Sequence, residues 1–189
     1  MNDLILQFIR QYSLGVTISE GTIGELMKHL SISKHAKNHV LLQENQRHDF
    51  AYFVIKGAAR SYYLKDGTEV NTWFAFENDL IGSLNTYRDL PLRETVELLE
   101  EATLISINLK TVKPLIHSNL QISNFSGAVI EEYAQFLEDR IFYTQFMSSK
   151  ERYELLLKHE PMALQRIPLT YIASYLGISR ETLSRLRAK

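Results

Sequence analysis

The chain has 189 residues, which is enough for one large domain or two small ones with a buried core. Its 21 Lys and Arg residues nearly balance its 22 Asp and Glu residues, so the formal net charge is −1, and the composition is that of a soluble globular protein. The absence of cysteine excludes disulfides, thiolate zinc sites, iron–sulfur clusters and cysteine nucleophiles. The longest apolar run, Phe50 to Ile55, is too short to cross a membrane, and the N-terminus lacks a signal-peptide pattern, so we expect a cytoplasmic location.

The charge is spread unevenly along the chain. From Met162 to Lys189 there are five basic side chains and one acidic side chain, a net charge of +4, which leaves −5 for the remainder. This asymmetry is typical of an appended nucleic-acid-binding module, although a basic tail can also serve only to keep a chain soluble.

Helical and strand patterns follow one another in the first half of the chain. Ile23, Leu26 and Leu30 recur at helical spacing after Ser19, which indicates a short amphipathic helix. From there to Leu109, short segments rich in β-branched and aromatic residues predict strands, with a tight hairpin turn at Lys65–Thr68. The predicted strands are Val40–Leu42, Phe50–Ile55, Arg60–Leu64, Val70–Phe76, Thr95–Leu99 and Leu104–Leu109. This regular succession indicates an all-β sandwich, barrel or jelly roll.

A long helix is predicted from Asn119 to Met147, and a second one, capped by Ser148, from Lys150 to His159. Two rows follow the long helix at seven-residue steps: Ile122, Val129, Phe136 and Tyr143, and Ile130, Leu137 and Thr144. A helix that is apolar on more than one side must bury surface against its own domain and against something else. We interpret it as a dimerisation helix with a coiled-coil-like seam, and a central helix of a single domain is the alternative.

The segment from Leu169 to Arg187 has the spacing of a helix-turn-helix. Ala173 is small enough for two helices to approach closely, and Gly177 supplies the left-handed residue that ends the first helix. Ser179 can then cap the second helix. The apolar residues expected to join the two helices are Ile172, Leu176, Ile178, Leu183 and Leu186. The agreement of these positions predicts a DNA-binding helix pair.

The polar residues of the second helix are the candidate DNA-reading set. Arg180, Glu181, Ser184 and Arg185 occupy its first turn and a half, which is the part of a recognition helix that meets base edges in the major groove. Arginine can bind guanine through two hydrogen bonds, and glutamate can accept one from cytosine N4. The alternative is a surface ion pair between Glu181 and Arg185 on a solvated helix.

Four segments resemble parts of the cyclic-AMP receptor protein/FNR (Crp/Fnr) family of bacterial transcription regulators. They are Ala51–Gly57, Asp66–Val70, Asn78–Leu84 and Ile178–Arg185. The resemblance implies an α+β chain with a cyclic-nucleotide-binding-type β jelly roll as sensor over residues 1–118, a dimerisation helix over 119–147 and a helix-turn-helix domain over 148–189. It also implies a homodimer on a pseudo-palindromic site in double-stranded DNA, with RNA polymerase as a further partner.

The ligand cassette departs from that of the family members that bind cyclic nucleotides. Ser83 follows Gly82 where those members carry a glutamate for the ribose, and Glu94 follows Arg93, the residue at the distance of their phosphate-binding arginine. The candidate ligand-binding residues are Gly82, Ser83, Leu84, Arg93, Glu94 and Thr95. Because Glu94 would place negative charge beside a phosphate, we do not expect cyclic AMP to bind. A different small-molecule effector, or none, is expected, and no cofactor is predicted.

Four histidines lie close together in the sequence and could bind a metal ion or haem: His29, His35, His39 and His48. Their segment is predicted as loop or strand, so the four-residue spacing of His35 and His39 does not place them on one face. We therefore interpret them as surface or partly buried residues and predict no metal site. The His-x-His pair of metal-dependent cupins is absent, and no set of base, nucleophile and metal ligands emerges, so no enzyme is predicted.

Only Ala188 and Lys189 follow the second helix of the pair in this sequence, so the C-terminal wing hairpin seen in many relatives is not expected. Phosphate contacts would then come from the helix pair itself, namely from Thr170, Tyr171, Ser174, Thr182 and Arg187. The sequence thus favours a DNA-binding transcriptional regulator. The alternative is a ligand-binding or protein-interaction module that keeps the helix-turn-helix only as a helical cap.

Overall fold

The computed structural model describes residues 2–13 and 15–188. Its strands are β1 (Leu30–His35), β2 (Val40–Leu42), β3 (Phe50–Lys56), β4 (Ala59–Lys65), β5 (Thr68–Ala75), β6 (Leu80–Ile81), β7 (Thr95–Leu98) and β8 (Ala102–Asn108). They form two four-stranded antiparallel sheets, one in the order β1-β8-β3-β6 and the other in the order β2-β7-β4-β5. Strands from distant parts of the chain thus lie side by side, as in a jelly-roll sandwich.

Helices precede and follow this sandwich, and the short α3 lies between β6 and β7. They are α1 (Asn2–Tyr12), α2 (Glu20–Met27), α3 (Leu84–Tyr87), α4 (Leu109–Ser118), α5 (Leu120–Phe146), α6 (Ser149–His159), α7 (Ala163–Arg166), α8 (Leu169–Leu176) and α9 (Arg180–Arg187). The chain is therefore α+β, with an N-terminal β-sandwich and C-terminal helices. Among the residues described, no helix combines the length and the hydropathy needed to span a membrane.

The six predicted strands, the long helix and the helix pair are confirmed, with boundaries within a few residues of the prediction. The hairpin turn is confirmed as well, because Asp66 and Gly67 both have positive φ and Lys65 pairs with Thr68. The sequence did not predict α1, β1, β6, α3, α4 or α7. In α4, Pro114 misled the prediction, because proline usually ends a helix rather than lying inside one.

Three apolar clusters make up the core. The first lies between the sheet containing β3 and the flanking helices, with Phe8, Phe53 and Phe125 among its members. The second fills the space between the two sheets. The third, which we call the joint core, contains Ala58, Phe76 and Leu99 of the sandwich together with residues from α6 to α9, including Tyr153, Ala163, Ile167, Ile172, Ala173, Leu176 and Leu183. The sandwich and the C-terminal helices therefore share a core, and the division of the chain at residues 118 and 148 stays a prediction.

The long helix α5 is buried at its beginning and exposed at its end. Ile122 and Phe125 belong to the first cluster and are almost fully buried. Toward the other end, Ile141, Phe142 and Phe146 are 57%, 52% and 72% exposed. These three side chains form an apolar surface that nothing in the described chain covers.

Candidate nucleic-acid interface and ligand cavities

The turn between α8 and α9 is built as the sequence predicts. Gly177 has a φ of +66° and a ψ of +34°, and its N–H donates to carbonyl oxygens at the end of α8. This left-handed conformation strains residues with a side chain, so glycine ends the helix at little cost. Two residues later, the Ser179 hydroxyl accepts a hydrogen bond of 3.2 Å from the N–H of Thr182 and caps α9.

The packing of the helix pair leaves one side of α9 facing solvent. Leu183 has no exposed surface, and Ile172 of α8 is equally buried in the joint core. The other side of α9 carries the exposed residues Arg180, Glu181, Ser184, Arg185 and Arg187, whereas Thr182 is half-buried. We call this side the outer face.

The outer face carries no internal ion pair. Over the described residues, no carboxylate lies within salt-bridge distance of Arg180, Arg185 or Arg187, so the alternative pair between Glu181 and Arg185 is not formed. A hydrogen bond from its own backbone N–H and one from Ser179 lower the pKa of Glu181, so this carboxylate is ionised at neutral pH. The outer face therefore presents both positive charge and a hydrogen-bond acceptor to solvent.

The first helix of the pair, α8, is docked on β5 by a face that we call the inner face. Ser174 donates to the carbonyl oxygen of Glu69 at 3.2 Å and accepts from the N–H of Asn71 at 3.0 Å. The prediction that Ser174 contacts phosphate does not fit this arrangement, because its hydroxyl is already bound to β5. Thr170, in the first turn of α8, is exposed as that prediction requires.

A buried arginine of the sandwich lies beneath the inner face. The Arg60 guanidinium is 2.5 Å from a carboxylate oxygen of Glu69 and 2.7 Å from one of Glu97. The rings of Tyr62 and Tyr171 lie over it, with centroids 4.1 and 3.9 Å from its central carbon. Burial lowers the pKa of Arg60, but the hydrogen bonds to the two glutamates outweigh it and raise the pKa overall. Tyr171, a predicted phosphate contact, is thus stacked on the sandwich.

A second arginine ties the sandwich to the C-terminal helices from the other side. Arg166 of α7 donates to both carboxylate oxygens of Glu77, at 2.7 and 2.9 Å, and to Glu100 at 2.5 Å. Glu77 also accepts from the N–H of Gly57 at 2.9 Å. Burial raises the pKa of Glu77, but Arg166 and the Gly57 N–H lower it overall, and the bonds to Glu77 raise the pKa of Arg166. Paired, doubly hydrogen-bonded charges of this kind fix orientation as well as distance.

At the contact between β5 and α8, the side-chain amide of Asn71 lacks hydrogen-bond partners within the described chain. Its backbone N–H binds Ser174, and the residue is 4% exposed. Both polar atoms of its side-chain amide are buried, and neither has a hydrogen-bond partner within the described chain. Buried polar groups in proteins are nearly always hydrogen-bonded, so this one marks an energetically imperfect contact.

The six candidate ligand residues are not brought together in one site. Ser83 caps α3 by accepting from the N–H of Thr86 at 3.2 Å. The Glu94 carboxylate accepts from the hydroxyls of Ser61 and Thr72, and the Thr95 hydroxyl accepts from the N–H of Glu44 at 3.2 Å. The Arg93 side chain points into solvent, because the residue is exposed and has no ion pair within the described chain.

Two cavities lie along α5. The first, of about 290 Å³, lies beside Gly82, Ser83 and Leu84 and is lined mostly by apolar side chains; we call it the apolar cavity. The second, of about 440 Å³, lies between β5, α5 and α8 and includes Asn71, Glu94, Arg140 and Tyr175 in its wall; we call it the interdomain cavity. Arg93 and Thr95 line neither of these two cavities. The cassette residues Gly82 and Glu94 therefore belong to different spaces.

Two of the four candidate histidines lie side by side. The rings of His35 and His39 lie with their centroids 4.7 Å apart, because the chain turns between β1 and β2 and not because of a helical spacing. The His35 Nε2 is 2.9 Å from the Ser33 hydroxyl, and burial together with His39 lowers the pKa of His35. Across the described residues, no group of three or more potential metal ligands comes together.

Known proteins share this architecture. Residues 32–119 match the model of the cyclic nucleotide-binding domain. FixK2 from Bradyrhizobium japonicum is 19% identical, with a TM-score of 0.71 over 84% of this chain and 83% of that one. A protein from Eubacterium rectale, described as a transcriptional regulator of the Crp/Fnr family, is 19% identical, with a TM-score of 0.69 over 89% and 82%. The chain has the Crp/Fnr fold. The fold implied by the resemblance of the four sequence segments is thereby confirmed.

A further solved structure is similar to this chain over both of its halves. CLP of Xanthomonas campestris, a global regulator responsive to c-di-GMP, is 17% identical, with a TM-score of 0.65 over 90% of each chain. No curated protein sequence matches the chain.

Proposed function

We propose that the protein is a sequence-specific DNA-binding transcriptional regulator of the Crp/Fnr type, which acts in the cytoplasm as a homodimer on a pseudo-palindromic site and has no enzymatic activity. The outer face of α9 is the observation that carries this proposal. Its arginines are exposed and unpaired in the described chain, on a helix held by a buried leucine. Charged side chains that the fold itself does not use are available to an external polyanion.

The roles of the outer-face residues follow from their chemistry. Arg180 and Arg185 would each bind guanine through two hydrogen bonds, and Glu181 would accept from cytosine N4. Ser184 would contact either a base or the backbone. Phosphate contacts would come from Thr170, Thr182 and Arg187, which positions the helix without reading the sequence.

The exposed end of α5 supports a dimer. Ile141, Phe142 and Phe146 place three large apolar side chains on the surface of one helix, and a second copy of the chain would cover them. Two copies related by a two-fold axis would present two α9 helices to successive turns of the major groove. A monomeric mass by light scattering at micromolar concentration would contradict this part of the proposal.

The cassette geometry supports a sensor domain that does not bind cyclic AMP. Its candidate phosphate ligand Arg93 points into solvent, while Glu94 and Thr95 are already hydrogen-bonded within the sandwich. A phosphate placed there would meet a carboxylate before it met a cation. Calorimetry with cyclic AMP and cyclic GMP should show no binding, and clear micromolar binding of either would refute this reading.

Selection of bound sequences from a random DNA pool tests the main proposal. We expect a pseudo-palindrome with half-sites about 10 base pairs apart, one helical turn of DNA. On that site, Arg180→Ala and Arg185→Ala should each weaken binding about 5- to 150-fold and relax specificity at one base pair. Lys110→Ala removes one exposed charge from α4 and serves as the matched control, with little effect expected.

The docking of α8 on β5 is the observation that favours the alternative function. In a module that keeps the helix pair only as a cap, the inner face would hold the pair permanently on the sandwich. The same selection separates the two functions, because a cap would return no palindromic sequence.

A further inference from the structure

The apolar cavity is bounded by several elements of this chain and opens to solvent on one side. Phe8 and Tyr12 of α1 face it from one side, Ala51 and Ile107 of the sheet from another, and residues of α4 and α5, including Val129, line the rest of the wall. Its volume of about 290 Å³ is close to the lower end of the range of small-molecule sites in proteins, about 300 to 1,000 Å³. A cavity of this size suits a small molecule.

The charge of the cavity wall excludes an anion. Of the described residues that line the cavity, none is lysine or arginine, whereas two, Asp79 and Glu132, carry carboxylates. A phosphodiester or carboxylate in this space would give up its hydration and meet like charge. The rest of the wall consists largely of aliphatic and aromatic side chains, which is the composition typical of sites for apolar ligands.

Asp79 is the more buried of the two carboxylates in the cavity wall. One of its carboxylate oxygens accepts a hydrogen bond of 2.8 Å from the N–H of Phe76, which fixes the side chain. The other oxygen has no hydrogen-bond partner within the described residues. Burial, followed by the charge of Glu132, raises the pKa of Asp79, so a donor or cation placed against it would be favoured.

We propose that the apolar cavity binds a small, largely apolar molecule that lacks a phosphate or carboxylate and donates a hydrogen bond from a hydroxyl or amine to Asp79. Its role as the effector of a regulator rests on the proposed function, whereas its binding does not. Trp73, Tyr133 and Phe136 line both cavities, so an occupant would touch the same side chains that face the interdomain cavity. A signal from the ligand therefore has a direct route toward α8.

Three probes of matched shape test the proposal: 4-phenylbutan-1-ol, 4-phenylbutan-1-amine and 4-phenylbutanoate. Trp73 is the single tryptophan of the chain and lines the cavity, so its fluorescence reports occupancy, with calorimetry as the second readout. We expect the alcohol and the amine to bind with Kd below about 1 mM, as their size permits, and the carboxylate to bind at least about tenfold more weakly. Cyclic AMP should not bind.

Two variants locate the binding. Asp79→Asn keeps an acceptor for the Phe76 N–H but removes the charge, and it should weaken amine binding at least about tenfold. Ser126→Phe fills the cavity from α5 and should abolish binding of all three probes. Asp89→Asn removes a carboxylate from an exposed ion pair and is the control that should bind like the parent protein.

Several results would overturn the proposal: no binding of the alcohol and the amine, equal binding of the carboxylate, or binding unchanged by Ser126→Phe and Asp79→Asn. The DNA selection is scored separately. Probe binding without a palindromic motif would support the ligand cavity and contradict the proposed DNA-binding function. A palindromic motif without probe binding would support the DNA-binding function and contradict the ligand cavity.

Discussion

The two helices of the C-terminal pair direct their polar side chains to different surroundings. On the inner face of α8, Ser174 is hydrogen-bonded to the backbone of β5, and the ring of Tyr171 lies over the Arg60 guanidinium. On the outer face of α9, Arg180 and Arg185 have no ionic partner within the described chain. Two adjacent helices of similar length can thus have different roles. The polar side chains of α8 hold it on the sandwich, whereas those of α9 are available to a partner outside the chain.

The largest expected effect comes from replacing one arginine beneath the inner face and one on the outer face by methionine. Arg60→Met leaves Glu69 and Glu97 without their shared buried cation, and we expect it to lower the free energy of unfolding by about 3 kcal/mol. Arg180→Met, on the outer face, should change it by less than about 0.5 kcal/mol. Urea denaturation of both variants measures the two values. Equal losses would mean that the outer face is also structural.

A smaller test uses serine in both helices. Ser174→Ala removes both hydrogen bonds to β5 and leaves the N–H of Asn71 without its acceptor, whereas Ser184→Ala changes an exposed residue of α9. Both substitutions gain the same helix propensity, so their difference isolates the docking contact. We expect Ser174→Ala to be less stable than Ser184→Ala by about 1 kcal/mol in thermal or urea unfolding. If the two variants are equally stable, α8 is not held on β5 by this hydroxyl.

The smallest expected effect concerns pH. The pKa of Glu77 is lower in the folded protein than its ordinary value of 4.5, so its ion pair with Arg166 stabilises the fold above that pH and is lost as the pH falls through the folded value. Glu77→Gln should therefore lose less stability than the parent protein between pH 7 and pH 3. Because Glu77 is 37% exposed, the difference should stay below about 1 kcal/mol. Parallel stability profiles for the two proteins would show that this pair does not contribute to docking.

The parts of the site that sequence could predict are those fixed by nearby residues. Gly177, Ser179 and Leu183 lie within seven positions of one another, and together they determine the turn, the cap and the buried side of α9. The pattern of α1 was equally local, since Ile5, Phe8, Ile9 and Tyr12 recur at helical spacing, and it could have been found.

The parts that sequence could not predict depend on residues far apart in the chain. From the sequence alone, Ser174 is predicted to be an exposed phosphate contact. In the structure it is hydrogen-bonded to β5, which lies over a hundred positions earlier in the chain. In the same way, Arg93 has the right spacing for a ligand residue, and only the packed sandwich shows its side chain in solvent. Spacing along a chain fixes which residues share a helix face, but it does not determine which strand that face meets.

The unsatisfied amide of Asn71 makes the docked helix easier to detach. Keeping one such polar group dry and unpaired costs about 1 to 3 kcal/mol, and water would reach it as soon as α8 moved away from β5. That recovered hydration offsets much of what Ser174 contributes by holding the two together. The sandwich and α8 are therefore joined by a contact that is weaker than its two hydrogen bonds alone would make it.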